Sequence, residues 1–304
     1  MNRGGVPLKS LFRILLLFTI LFVIGMSVKN IFYTARDRTL EEEPIEVELD
    51  PELDSGKVEE ESSPRPDKGV STLIGQSIQQ VLNDLGEPDR KDPSYYGFDW
   101  WIYKGQDQPY LLIGVKSNRV VTLIATCPDT DVSPFQIGGT LETLYHVIKM
   151  QNEVELEYEG SFFRFQLYEG DINSRPLIPL GDIFAQLYFD NFSGELLFIR
   201  FMDKETLLLQ RPYDLTYWGE LLEPPVLSDE EWQEADQASA RQIFELTNVI
   251  RKRKNLPVLQ WDEKTAEVAY FHSLDMYESE TFSHESEKYG DLADIKGLPS
   301  SKLT

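Results

Sequence analysis

Apolar residues recur along this chain in one pattern that is written twice. After Gly75-Gln76-Ser77 they fall at Ile78, Val81, Leu82 and Leu85, and after Gly138-Gly139-Thr140 at Leu141, Leu144, Tyr145 and Ile148. Both sets follow the i, i+3, i+4, i+7 spacing of one helix face, each begun by a hydroxyl N-cap, Ser77 or Thr140. In the first copy Gln80 completes a capping-box pattern with Ser77, and Gly86 with Pro88 supplies the stop. An aromatic strand is predicted after each helix, Trp100–Tyr103 in the first copy and Phe162–Tyr168 in the second. A hairpin follows in each: Leu111–Val115 with Val120–Ile124, turning at Ser117-Asn118, and Ile183–Phe189 with Leu196–Phe201, turning at Ser193-Gly194. Residues 72–205 therefore read as tandem duplicated α-β-β-β units, and the fold class as α+β. The lone His146 within the second helix reads as a structural or surface residue.

Beyond the repeats, residues 206–237 read as a linker in which Pro212, Pro224 and Pro225 bracket Tyr213–Trp218. So aromatic a segment is expected to lie against a flanking domain. Helical periodicity returns at Ile243, Leu246, Thr247 and Ile250. The run Arg251-Lys252-Arg253-Lys254 closes that helix before Pro257, where cations complement the macrodipole. A second helix carries Ala266, Ala269, Tyr270 and Ser273 along one side, with His272 among them.

Charge and composition change this picture mainly at the N-terminus. Arg3, Lys9 and Arg13 precede an uncharged run from Ile14 to Val28, about 22 Å of helix. With Leu11 and Phe12 before it, Ile31–Tyr33 after it, and Arg13 and Lys29 snorkelling, residues 1–36 read as an uncleaved membrane anchor. A cleaved signal peptide is the alternative, and no Ala-x-Ala site supports it. The basic flank before the span places everything after Lys29 outside the cytoplasm. Residues 37–71 are dominated by Glu, Asp and Pro and read as an extended, self-repelling stalk. A formal net charge of −23 argues against nucleic-acid partners. Cys127 is the single cysteine, so there is no disulfide framework, and it reads as a half-buried strand-end residue. No Ser-His-Asp or Cys-His spacing, phosphate loop or HExxH is present.

The C-terminal block carries a resemblance. Leu246-Thr247-Asn248 with Arg251, Leu256-Pro257, Leu259-x-Trp261-Asp262, Ala266 and Ala269, His272-Ser273-x-Asp275-Met276 and Phe282-Ser283-His284 together resemble the start of a bacterial CAP domain, the cysteine-rich secretory, antigen 5 and pathogenesis-related family. The preceding repeats resemble the CAP-associated N-terminal domain of membrane-anchored Firmicute proteins. The resemblance implies an α-β-α sandwich over residues 238–304, with a cleft of two His and two acidic residues often linked to divalent metal. His284 matches the first of those His. The Glu-Asn and Gly-His-Arg segments that would supply its partners are not found. From Ile295 to Thr304 the sequence departs from the family pattern, so a partial domain of mostly two helices, C-terminally truncated, is expected.

Two functions stay open at this point. One is a membrane-anchored extracytoplasmic protein of the cell envelope, with a non-enzymatic binding or scaffolding domain, no cofactor, and an unknown extracytoplasmic ligand or protein as partner. The other is a metal-assisted hydrolase or peptidase acting on cell-wall or peptide substrate through the CAP cleft, with His284 as a metal ligand. His272 reads as a buried imidazole bonded to backbone or to a carboxylate rather than as a ligand.

Overall fold

A computed structural model describes residues 63–104, 110–146, 148, 150–283, 285–286 and 290–291. The expected anchor, most of the acidic stalk, and His284 lie outside the described residues. Helices and strands follow in the order α1 (Ile78–Leu85), β1 (Arg90–Pro93), β2 (Asp99–Tyr103), β3 (Leu111–Lys116), β4 (Arg119–Ala125), α2 (Leu141–Tyr145), β5 (Glu153–Tyr158) and β6 (Ser161–Gln166). They continue as α3 (Glu169–Ser174), β7 (Leu177–Leu180), β8 (Ile183–Phe189), β9 (Leu196–Asp203), α4 (Lys204–Gln210), β10 (Asp214–Trp218), α5 (Asp229–Arg253) and α6 (Glu263–Glu278). A two-stranded pairing of Glu285–Ser286 with Gly290–Asp291 comes last.

The duplication is visible in the hydrogen bonds. Seven strands form one antiparallel sheet in the order β1-β2-β3-β4-β9-β8-β7, so the last strands of the two repeats, β4 and β9, pair at its centre. Each helix N-cap segment is tied to the last strand of its own repeat in the same register. Gly75 donates to the Val120 carbonyl at 2.7 Å, and Gly138 donates to the Leu196 carbonyl at 2.8 Å. The return bonds run from Val120 to the Gln76 carbonyl and from Leu196 to that of Gly139. Gly75 and Gly138 both sit at positive φ, 82° and 89°, where glycine is the residue at ease. Ile74 and Ile137, one residue earlier, are both buried.

The first strand of the second repeat is not the one that the aromatic pattern predicts. Phe162–Tyr168 alternates cleanly, burying Phe163, Phe165 and Leu167, yet its core, β6, pairs with β5 and β10 in a separate three-stranded sheet. These strands (residues 151–168 and 211–222) make a compact unit of their own. In the seven-stranded sheet the place is taken by β7, only four residues long and carrying Pro179. A strand this short, with a residue that cannot donate, gives little periodic signal, and it is tolerated at a sheet edge. The stretch 206–237 is likewise structured: α4 buries Leu207 and Leu208 completely, and Tyr213–Trp218 contributes β10.

Both faces of the seven-stranded sheet are covered. One face packs under α1 and α2 through Ile78, Val81 and Leu144 against Ile113, Leu123, Leu187 and Phe201. The opposite face carries Phe98, Trp100, Ile102, Leu112 and Val121, and onto it pack Leu246 and Val249 of α5. The central strands accordingly read as unbroken apolar runs, such as Leu111 to Val115, all buried. Gly114 has no room for a side chain: an added Cβ would lie 2.4 Å from Thr122 Cγ2 and 3.0 Å from the Phe98 ring. The first of the two helices expected in the partial C-terminal domain thus covers this sheet.

Candidate functional site

Helix α5 begins at Ser228, whose hydroxyl accepts from the Glu231 amide while the Glu231 carboxylate takes the Ser228 amide at 2.8 Å. From this capping box it runs 25 residues, roughly 37 Å, with side chains bonded to the sheet along its length. Near its start, Trp232 packs on Tyr95 with ring centroids 5.0 Å apart, and the Tyr95 hydroxyl donates to Asp236 at 2.7 Å. Midway, Gln242 donates to Asp92 at 2.9 Å. At its end, Arg253 donates to the carbonyls of Thr126 and Leu197. Lys254 meets Glu195 at 2.6 Å and Asp190 at 3.4 Å. The terminal cations therefore do more than complement the helix dipole: Arg253 and Lys254 grip the β8–β9 hairpin.

A dense polar cluster lies around Glu245. Arg90 holds Asp92 through two bonds of 2.5 and 2.8 Å and Glu245 through two of 2.9 and 3.2 Å. The Tyr110 hydroxyl donates to Glu245 at 2.7 Å, and the Lys104 ammonium donates to its other oxygen. Burial by itself would push the Glu245 carboxyl up, but the bonds from Arg90, Lys104 and Tyr110 outweigh it and hold it at about 2. The Arg90 guanidinium is raised by its bonds to Asp92 and Glu245, and Tyr110 is raised by burial and by its bond to Glu245. Two cations, two carboxylates and a phenol are thus mutually satisfied where helix meets sheet. Such a constellation fixes position.

Arg200 differs. On the same face of the sheet, its Nε donates to Thr122 at 3.0 Å and its Nη1 to Gln210 at 2.6 Å, and its guanidinium carbon lies 5.3 Å from the Trp100 ring centre. Nη2 is buried without a hydrogen-bond partner, and burial pulls the guanidinium pKa down. On the opposite face, Gln136, Gly139, Thr140, Thr143 and Leu144 open onto Leu187, Phe189 and Leu196 as a cleft of about 200 Å³.

Of the histidines, His146 is the exposed C-cap of α2. His272 is buried on α6, its Nε2 3.1 Å from the Ser283 carbonyl, which sets Nε2 as the donor. The ring is thus bonded to backbone, as its setting in the sequence suggested. Among the described residues no three His, Cys, Asp or Glu side chains are grouped to hold a metal ion. The candidate ligand His284 lies outside those residues. Sequence pattern did not single out Glu245, Arg90, Asp92 or Arg200. Their partners are 155 residues apart in the case of Arg90 and Glu245, and only the fold brings them together.

Comparison with known proteins is consistent across the chain. The model for the CAP-associated N-terminal domain matches residues 74–213, and that for the cysteine-rich secretory protein family matches residues 244–297. A Bacillus subtilis (strain 168) protein named as the uncharacterized membrane protein YlbC is 45% identical over 230 residues, 75% of this chain and 66% of its own length. The chain thus spans just under two thirds of that relative. An extracellular protein containing an SCP domain from Bacillus anthracis strain Ames superposes with a TM-score of 0.71 at 36% identity, over 82% of this chain and 78% of that one. The cysteine-rich secretory protein SAV1118 from Staphylococcus aureus Mu50 gives a TM-score of 0.61 at 28% identity, over 72% and 70%.

Proposed function

Because the chain belongs to the cysteine-rich secretory protein (CAP) family and carries its CAP-associated N-terminal domain, we propose that it is a membrane-anchored, extracytoplasmic binding or scaffolding protein of the cell envelope. The observation that carries this reading is helix α5. It spans the family-matched start of the CAP region and at the same time covers one face of the N-terminal sheet through Leu246 and Val249. A helix bonded through Glu245 and Arg253 fixes the direction in which the chain leaves the sheet, which is what a scaffold requires. The apolar run Ile14–Val28 after Arg3, Lys9 and Arg13, and the names of the relatives from B. subtilis and B. anthracis, support a membrane anchor with the rest outside.

Two readouts on the full chain test this. Protease added to intact protoplasts removes everything beyond Tyr33; survival of the chain would overturn the orientation. Zinc titration of the purified protein gives no stoichiometric sub-micromolar site. Binding of that strength, abolished by His284→Ala, would instead favour a metal-assisted hydrolase.

A further inference from the structure

Strand β5 is the last of the small sheet β10-β6-β5, so its outer edge meets no other strand among the described residues. It joins β6 through the tight turn Glu159-Gly160, both at positive φ, with Tyr158 opposite Ser161. The pairing runs without a shift to Glu153 opposite Gln166, and one residue further Leu167 donates to the Asn152 carbonyl at 2.7 Å. Bonded and unbonded pairs alternate in an antiparallel ladder, so Asn152, Val154, Leu156 and Tyr158 are the residues bonded to β6. The amide and carbonyl groups of Glu153, Glu155 and Glu157 therefore point the other way, along the outer edge. There Glu153 and Glu155 make no backbone hydrogen bond among the described residues.

The side chains add a second pattern. Val154 and Leu156 are buried, and the three glutamates stand together on the opposite face, roughly 6.8 Å apart. Arg164 of β6 faces this row, bonding Glu155 at 2.6 Å and lying 4.0 Å from Glu153. One guanidinium against three carboxylates leaves the row negative.

We infer that β5 accepts an added strand from a basic segment of another protein, one with Lys or Arg at alternate positions. An open edge offers main-chain bonds to any extended segment, and the side-chain row selects among them. Cations at alternate positions come to lie opposite the glutamates at roughly 5 Å, where unlike charges stabilise. The same row excludes a second copy of β5, which would set Glu against Glu, and so keeps the edge from pairing indiscriminately.

This inference rests on the binding-module reading and names the partner's chemistry. It is tested on the full chain in lipid nanodiscs by amide hydrogen exchange, with acetyl-Lys-Thr-Lys-Thr-Lys-Thr-amide as probe. Two controls are the same peptide N-methylated at alternate backbone nitrogens, which keeps its charge but cannot add as a strand, and the Glu-Thr counterpart. Exchange at the Glu153 and Glu155 amides is fast in the chain alone and slows at least about tenfold with the lysine probe. Half-saturation falls at about 0.1–1 mM, and both controls bind at least about tenfold more weakly. Glu155→Pro removes an outward amide without touching the ladder to β6, so it abolishes the protection while the melting temperature holds. Equal binding of either control, or no protection at several millimolar probe, overturns the inference. So does slow exchange at Glu153 and Glu155 in the chain alone, or a dimer held through β5, since the edge would then be occupied already. Should Glu155→Pro fail to fold, the N-methylated peptide on the wild type decides the matter by itself. None of these outcomes bears on protease exposure or zinc affinity, so the broader reading stands or falls separately.

Discussion

At the scale of single residues, Glu245 ties helix to sheet. Its side chain is 18% exposed and accepts from Arg90, Lys104 and Tyr110 together. Glu245→Ala leaves those donors facing a hole. An expected loss of about 2 kcal/mol, less than for a fully buried pair because solvent reaches the cluster, is readable from the urea midpoint. Its pH dependence has a definite sign. A carboxyl depressed to about 2 in the folded chain contributes stability that is complete above its unfolded value, about 4.3, and is lost as pH falls from there through 2. Thermal unfolding between pH 5 and pH 2 should therefore be flatter in Glu245→Gln than in the wild type. Nothing in the local sequence marks Glu245 out, since it is one acid on a helix with many. Its importance comes from residues that the topology brings to it.

At the scale of elements, the repeats were legible because helix periodicity, N-cap chemistry and hairpin turns all recur in register. What was not legible was how a clean strand is used. The alternation of Phe162–Tyr168 identifies a half-buried strand, but periodicity does not say which sheet it joins, and β6 pairs with β5 and β10. The short β7 takes its place beside β8. The equivalence that remains makes a paired prediction. A Cβ added at Gly75 or Gly138 would meet no atom within 4 Å, so Gly75→Ala and Gly138→Ala differ from wild type only in backbone strain. Each should cost about 1–2 kcal/mol, with the two losses matching, as measured by chemical denaturation. Clearly unequal losses would show that the two helix entries are not held alike. At the C-terminal end of α5, Arg253→Met should loosen the β8–β9 hairpin, seen as faster amide exchange at Leu196 and Leu197.

At the scale of the whole chain, the CAP-like motif string identified the family but hid the role of its first helix. Motif spacing alone does not say what Leu246 and Arg251 touch. In the fold, Leu246 lies with Val249 on the face carrying Phe98, Trp100, Ile102 and Leu112, while Arg251 bonds the Pro257 carbonyl at 2.7 Å and steadies the turn after the helix. The unbroken apolar runs of β2 and β3 were the available signal that a second cover was needed. A strand facing solvent on one side would alternate. Helix α5 is thereby both the start of the CAP match and the lid of the N-terminal sheet. Hydrogen exchange on the full chain tests this most directly, comparing amides of β3 (Leu112, Ile113) with those of α5 (Glu245 to Val249) in the wild type and in Glu245→Ala. A shared core requires that both segments open together, with similar protection, and that the substitution lowers protection in both. If α5 exchanged freely while β3 kept full protection, in either protein, the sheet would not depend on the helix and the account would be contradicted.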